Sequence, residues 1–121
     1  MVKLLAIDHV QLAMPRGEEV KARAFYSGVL GMSELPKPVE LEKRGGAWFQ
    51  SGAVQLHLGV EDDFRAAKKA HVAIGISGAE ELKSKLRNNG HAVREDHAIS
   101  GVVRFFTDDA FGNRLEFICQ E

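Results

Sequence analysis

The hydrophobic periods of this chain occur in one order and then occur again. Residues 6–14, AIDHVQLAM, alternate, with Val10, Leu12 and Met14 on one face and His9, Gln11 and Ala13 on the other. A period of two predicts a half-buried strand. Pro15 and Gly17 stop it. A helical pattern follows over 18–31, with Val20, Ala24 and Phe25 on one stripe and glycines at its end. A short strand around MSEL, a polar loop over 36–46, and a hairpin built from AWFQSG and AVQLHLGV complete the first half. After a charged connector over 61–69 the order returns. AHVAIGIS (70–77) alternates, with Val72, Ile74 and Ile76 against His71, Ala73 and Gly75. Ser77 and Glu80 have capping-box spacing ahead of GAEELKSKLRNNG, whose apolar stripe is Leu82 and Leu86 and whose end is Gly90. HAVREDHAI, GVVRFFTD and NRLEFICQ predict three more strands.

The two halves also keep register. His71 lies 62 positions after His9, each just ahead of a valine, and Glu116 lies 61 positions after Gln55. Near-equal offsets predict a duplicated unit, and two copies are too few for a solenoid. The expected fold is therefore α+β: one domain of two βαβββ modules, about 1–62 and 68–121, forming a curved mixed sheet.

Composition narrows the function. A chain of 121 residues with 45% hydrophobic and 27% charged residues suits one globular domain. No apolar run approaches the ~20 residues of a membrane helix. The opening MVKLLAIDHV does not read as a signal peptide, because Asp8 and His9 interrupt it. A single cysteine, Cys119, allows no internal disulfide and suits a reducing cytoplasm. Cys119 shares a face with Leu115 and Phe117 and reads as a small buried hydrophobe. A net charge of −1, with no basic run longer than Lys68–Lys69, argues against nucleic acid.

Strand parity then singles out a set of polar residues. Val54, Leu56, Leu58 and Val60 share one face of their strand, which leaves Gln55 and His57 on the other. Glu116 likewise lies opposite Leu115 and Phe117. His9, His71, Glu116 and either Gln55 or His57 thus occupy the faces opposite the apolar ones. Two imidazoles, a carboxylate and an amide or third imidazole form a donor set for a divalent metal. The small residues Ala13, Gly59, Ala73 and Gly75 share those faces and would leave room for a ligand.

DHVQLAM followed by ARAFYSGVLGM resembles the opening of the glyoxalase/bleomycin-resistance/extradiol dioxygenase family, the vicinal oxygen chelate superfamily. VQLHLGV, AHVAIGI and DAFGNRLEF match its later landmarks in order. The resemblance implies paired βαβββ modules around a metal, with His9, His71 and Glu116 as ligands. It places the fourth ligand on Gln55, with His57 as the alternative. Ala110 stands where the family's turn has proline, which should loosen that turn slightly. Gln55 stands where a glyoxalase-type isomerase has glutamate, and an amide cannot take a proton. Glu116 is then the only carboxylate in the set and the candidate catalytic residue, although a carboxylate on a metal is a poor base unless it dissociates.

The resemblance implies a metal-dependent lyase, isomerase or dioxygenase acting on a small oxygenated substrate, with one divalent ion (Zn, Ni, Co, Mn or Fe) per site. The alternatives are a metal-free, drug-sequestering protein of the bleomycin-resistance type and a thiol-transferase antibiotic-resistance enzyme. Trp48, His57, Arg104 and Phe106 are expected to line the substrate pocket, Arg104 against an anionic group. A homodimer is implied, in which His9 and Gln55 of one chain could meet His71 and Glu116 of the other. Substrate, metal and reaction type lie in pocket walls that no motif marks.

Overall fold

Hydrogen bonding divides the strands into two four-stranded sheets, one per module. The computed structural model describes residues 1–120. The first module runs β1 (Val10–Met14), α1 (Glu19–Arg23), β2 (Ser33–Leu35), α2 (Val39–Glu42), β3 (Ala47–Ser51) and β4 (Val54–Val60). The second runs β5 (Val72–Ile76), α3 (Ala79–Asn88), β6 (Arg94–Asp96), β7 (Arg104–Asp108) and β8 (Arg114–Cys119). The strand orders are β1-β4-β3-β2 and β5-β8-β7-β6. In each sheet the first strand is parallel to the last and the other pairs are antiparallel. Val10 faces Leu56 in one module as Val72 faces Leu115 in the other. The duplication read from spacing is thus a duplication of topology.

The apolar faces of the two sheets meet in one core. Leu12, Met14, Phe49, Leu56 and Leu58 pack in the same cluster as Leu86, Phe105, Leu115 and Phe117. The first helix joins them through Ala22, Phe25, Tyr26 and Val29, at the i, i+3, i+4, i+7 spacing of a helix face. This corrects the expected stripe. Val20 is 75% exposed because it sits two residues, about 200°, round the helix from Ala22. The helix also widens after α1 into a π-helical segment, Ala24–Val29, in which Leu30 N–H donates to the Phe25 carbonyl at 3.0 Å. The capping box is corrected too. Gly78, at φ +74°, is the N-cap of α3, so Ser77 lies one residue outside, and Glu80 instead accepts from Lys83 Nζ at 3.0 Å. Within the loop over 36–46, the residues after Pro38 form the single turn of α2.

One turn fastens the modules together. In Asp109–Asn113, Asp109 N–H donates to the Asn113 carbonyl at 2.8 Å. Its Oδ1 accepts from the amides of Phe111 (2.8 Å) and Asn113 (2.9 Å). Gly112 supplies the φ of +89° the turn requires. These bonds close the turn with Ala110 in place of proline. Asn113 Nδ2 reaches the carbonyl of Ala13 in β1 at 2.8 Å, and its Oδ1 accepts from the Ala67 amide at 3.0 Å. Tyr26 donates its hydroxyl to Asp109 Oδ2 at 2.6 Å. Burial, then the charge of Asp109, push the Tyr26 phenol well above its ordinary value, so it remains a donor.

Asn113→Ala removes the side-chain partner of the Ala13 carbonyl and of the Ala67 amide, and one of the two donors to Asp109 Oδ2. The expected cost is about 2–4 kcal/mol, against about 1–2 kcal/mol for Tyr26→Phe. Urea unfolding of the two variants measures this, and an Asn113→Ala midpoint equal to that of the wild type would show that the turn is no fastener.

Candidate metal centre

The face of the second sheet away from the core carries a buried carboxylate. Glu116, in mid-strand, is only 6% exposed. Register places Phe106 opposite it in β7 and Ala73 beside it in β5. His71 Nε2 lies 2.8 Å from Glu116 Oε1, and Arg104 Nη1 donates to Oε2 at 2.9 Å. Asp96, across from Arg104 in β6, accepts from its Nε at 3.1 Å and Nη2 at 3.0 Å, which fixes the guanidinium against Glu116. Phe106 packs beneath, its ring 5.6 Å from that of His71 and 5.4 Å from the Arg104 guanidinium carbon. Burial raises the pKa of Glu116, but the hydrogen bonds from His71 and Arg104 outweigh it and hold the carboxyl below its ordinary value.

The His71 ring is the most informative group on this face. Its Nδ1 lies 2.8 Å from the carbonyl of Lys69, which can only accept, so Nδ1 donates. Its Nε2 then faces a second acceptor, the ionised Glu116. With Nδ1 turned to the carbonyl, Nε2 and Oε1 stand side by side as two donors that could share a cation. A backbone carbonyl on the far nitrogen is also how a ligating imidazole is oriented.

The first sheet holds the other candidates. The rings of Trp48, His57 and His9 stack in that order, with centroids 4.1 Å and 3.9 Å apart. Trp48 and His57 are cross-strand partners in β3 and β4. His57 is 5% exposed, and its Nε2 lies 2.7 Å from Gln55 Oε1. Burial, then the nearby His9, lower its pKa, so its ring stays neutral and donates to the amide oxygen. His9 Nδ1 lies 2.8 Å from Asp8 Oδ1, which leaves Nε2 free to bind. Trp48 also lines a cleft of about 280 Å³ with Gln11, Lys37 and Arg44 beneath the loop over 36–46.

The structure therefore gathers the sequence-derived residues into two groups: His9, Gln55, His57 and Trp48 on one sheet, His71, Glu116, Arg104 and Phe106 on the other. Within a single chain these remain apart. Among the described residues no group of three or more His, Cys, Asp or Glu is placed to share a metal ion. The His71–Glu116 pair alone fits two ligands of such an ion. A cleft of about 220 Å³ runs between the sheet edges, lined by His9, Gln55, Ala73 and Gly75. Two of the small residues leave less room than expected. A Cβ on Gly59 would overlap the Gln11 side chain, and one on Gly75 would meet that of Gln120 at 2.5 Å. Sequence reading missed Asp8, Lys69 and Asp96, which orient the candidate ligands. A backbone carbonyl leaves no mark in a sequence. Asp96 becomes visible only once β6 is paired with β7.

Paired βαβββ modules with this arrangement define the vicinal oxygen chelate architecture, and the comparisons with known proteins agree. A glyoxalase family protein from Bacillus anthracis is 47% identical over 100% of this chain and 99% of its own, with a TM-score of 0.94. The chain belongs to the glyoxalase family. The fosfomycin resistance protein FosX from Listeria monocytogenes is 15% identical over 100% of this chain and 96% of its own, with a TM-score of 0.74. A variant of FosX complexed with Mn(II) and 1S,2S-dihydroxypropylphosphonic acid is 12% identical over 96% and 90%, with a TM-score of 0.73. At those identities the likeness is one of fold. No family model and no curated protein matches the chain. No helix among the described residues is long and apolar enough to cross a membrane.

The lowered pKa of Glu116 predicts an acid limb of stability. Its contribution is full above its ordinary value of 4.5 and is lost as pH falls through the lower folded value. Glu116→Gln should flatten that limb in melting curves taken from pH 6 downward. An unchanged pH profile would show that the carboxylate is not held by His71 and Arg104 in solution.

Proposed function

We propose that the protein is a metal-dependent enzyme whose centre is shared between two chains. His9 of one chain joins His71 and Glu116 of another, and Gln55, held by His57, completes the set. The observation that carries this reading is the His71 ring, braced by a carbonyl on one nitrogen and facing an ionised carboxylate with the other. Dimerisation is supported by the segment just ahead of His9. Val2, Leu4, Leu5 and Ile7 are 81–94% exposed, an apolar arm that asks for cover. A second chain over that arm would bring His9 into the interface.

Bound there, a divalent ion supplies Lewis-acid polarisation of neighbouring substrate oxygens. The chain's own residues do the rest. Lys69 and Asp8 aim the imidazoles, and Arg104, fixed by Asp96, sets the angle of Glu116. A carboxylate with a lowered pKa is a better ligand than base, so the proton-shuttling role of Glu116 is secondary to holding the ion. The reaction class is that of a lyase, isomerase or dioxygenase on a small oxygenated molecule. A resistance enzyme acting on an antibiotic is the second reading. It draws on the likeness in fold to FosX and would use the same three ligands.

Calorimetric titration with Mn(II), Ni(II) and Zn(II) tests the centre. One ion per chain is expected, with affinity reduced at least about 100-fold in His9→Ala, His71→Ala and Glu116→Gln. Full affinity in all three variants ends the reading. No binding in the wild type turns it toward a drug-sequestering protein. A mixture tests the sharing. Dimers formed from one His9→Ala chain and one Glu116→Ala chain recover one intact centre if ligands come from two chains, and none if each centre lies within a chain.

A further inference from the structure

Each of the other two arginines on the outer face of the second sheet is bound to acid. Arg94 donates to both oxygens of Asp108, at 3.0 and 2.9 Å. Arg104 is committed to Asp96 and Glu116. Arg114 is different. It shares the face of Glu116, two residues before it in β8, and its register partner is Asp108. That carboxylate is already occupied by Arg94, and Glu116 by His71 and Arg104. Among the described residues Arg114 forms no ion pair, and its Nε is buried without a hydrogen-bond partner. The guanidinium lies over Phe106, its carbon 5.4 Å from the ring centre, and this is the ring that His71 also contacts. The main chain beneath it is anchored, since Arg114 N–H donates to the Ala67 carbonyl at 2.9 Å.

A buried guanidinium N–H with no acceptor is costly, and nothing structural on this face relieves it. The Phe106 ring holds the guanidinium by a cation–π contact at 5.4 Å, and the planar fork of an arginine suits two-point recognition of a carboxylate or phosphate group. We infer that Arg114 is an anion-binding residue of the site: its guanidinium receives an oxyanion, carboxylate or phosphate-like, of a substrate whose reacting end lies at His71 and Glu116. The inference rests on the proposed centre for where the substrate reacts. It makes that substrate a small anion rather than a neutral molecule. It also assigns anion recognition to Arg114 in place of Arg104, whose charge is spent on holding Glu116.

The test uses the full-length protein treated with chelator, at constant ionic strength, so that anion binding is read without metal. The Arg114 Nε–H resonance, assigned by its loss in Arg114→Gln, is followed while inorganic phosphate and, separately, acetate are added. A saturable shift with either probe is expected, and the tighter of the two names the oxyanion class. Affinity measured by calorimetry should fall at least about tenfold in Arg114→Gln and partly recover in Arg114→Lys. Mn(II) affinity should stay within about twofold in both variants, which also shows that they fold. No saturable shift in the wild type, or equal anion affinity in Arg114→Gln, overturns the inference. Anion binding at Arg114 in a protein that binds no metal supports the inference while removing the metal reading, so the two fail separately.

Discussion

The Asp109–Asn113 turn is the constraint on which the rest of the structure depends. Two similar modules have no intrinsic reason to adopt one mutual arrangement, because apolar burial is not directional. Hydrogen bonds are directional, and here they converge on two side chains. Asn113 satisfies a carbonyl of β1 and an amide of the connector while bonding Asp109, and Asp109 receives the hydroxyl of Tyr26 from the first helix. Both side chains are almost wholly buried. Buried polar groups are tolerable only when satisfied, so this network admits one placement of the modules and opposes others. β8 begins immediately after the turn, and the setting of Glu116 and Arg114 follows from it.

Beyond the turn, the outer face of the second sheet is organised by charge compensation. Arg94 is matched to Asp108, and Arg104 is matched to Asp96 and Glu116. Phe106 supports three cationic or polar rings and forks from below. The first sheet is built differently, from a stack of Trp48, His57 and His9 with little formal charge. One face is thus suited to hold a cation and an anion, the other to present neutral imidazole and amide donors. Two such faces are complementary, which is the physical sense of the proposal that they share one centre.

Much of this was legible beforehand. The alternation in β1, β4, β5 and β8 assigned inward and outward faces correctly, because a strand's period of two leaves no freedom once one face is apolar. The helices were read less well. The helical pattern puts Val20 on the buried stripe and leaves Tyr26 off it, since a tyrosine's burial depends on a distant partner for its hydroxyl, here Asp109. Ser77 and Glu80 had the spacing of a cap, but the left-handed Gly78 begins the helix and moves both out of position. Gly59 and Gly75 suggested open space, and the flexible side chains of Gln11 and Gln120 occupy it.

What the sequence determined by itself is the duplicated module and the face on which each polar residue stands, because both follow from local period and from the near-equal offsets between the halves. What only the tertiary structure decided is which of those residues are partners. Strand pairing sets Arg104 between Asp96 and Glu116 and, among the described residues, leaves Arg114 with no acid of its own. Those relations join residues of neighbouring strands through geometry of a few ångströms, and a linear pattern carries no measure of distance across a sheet.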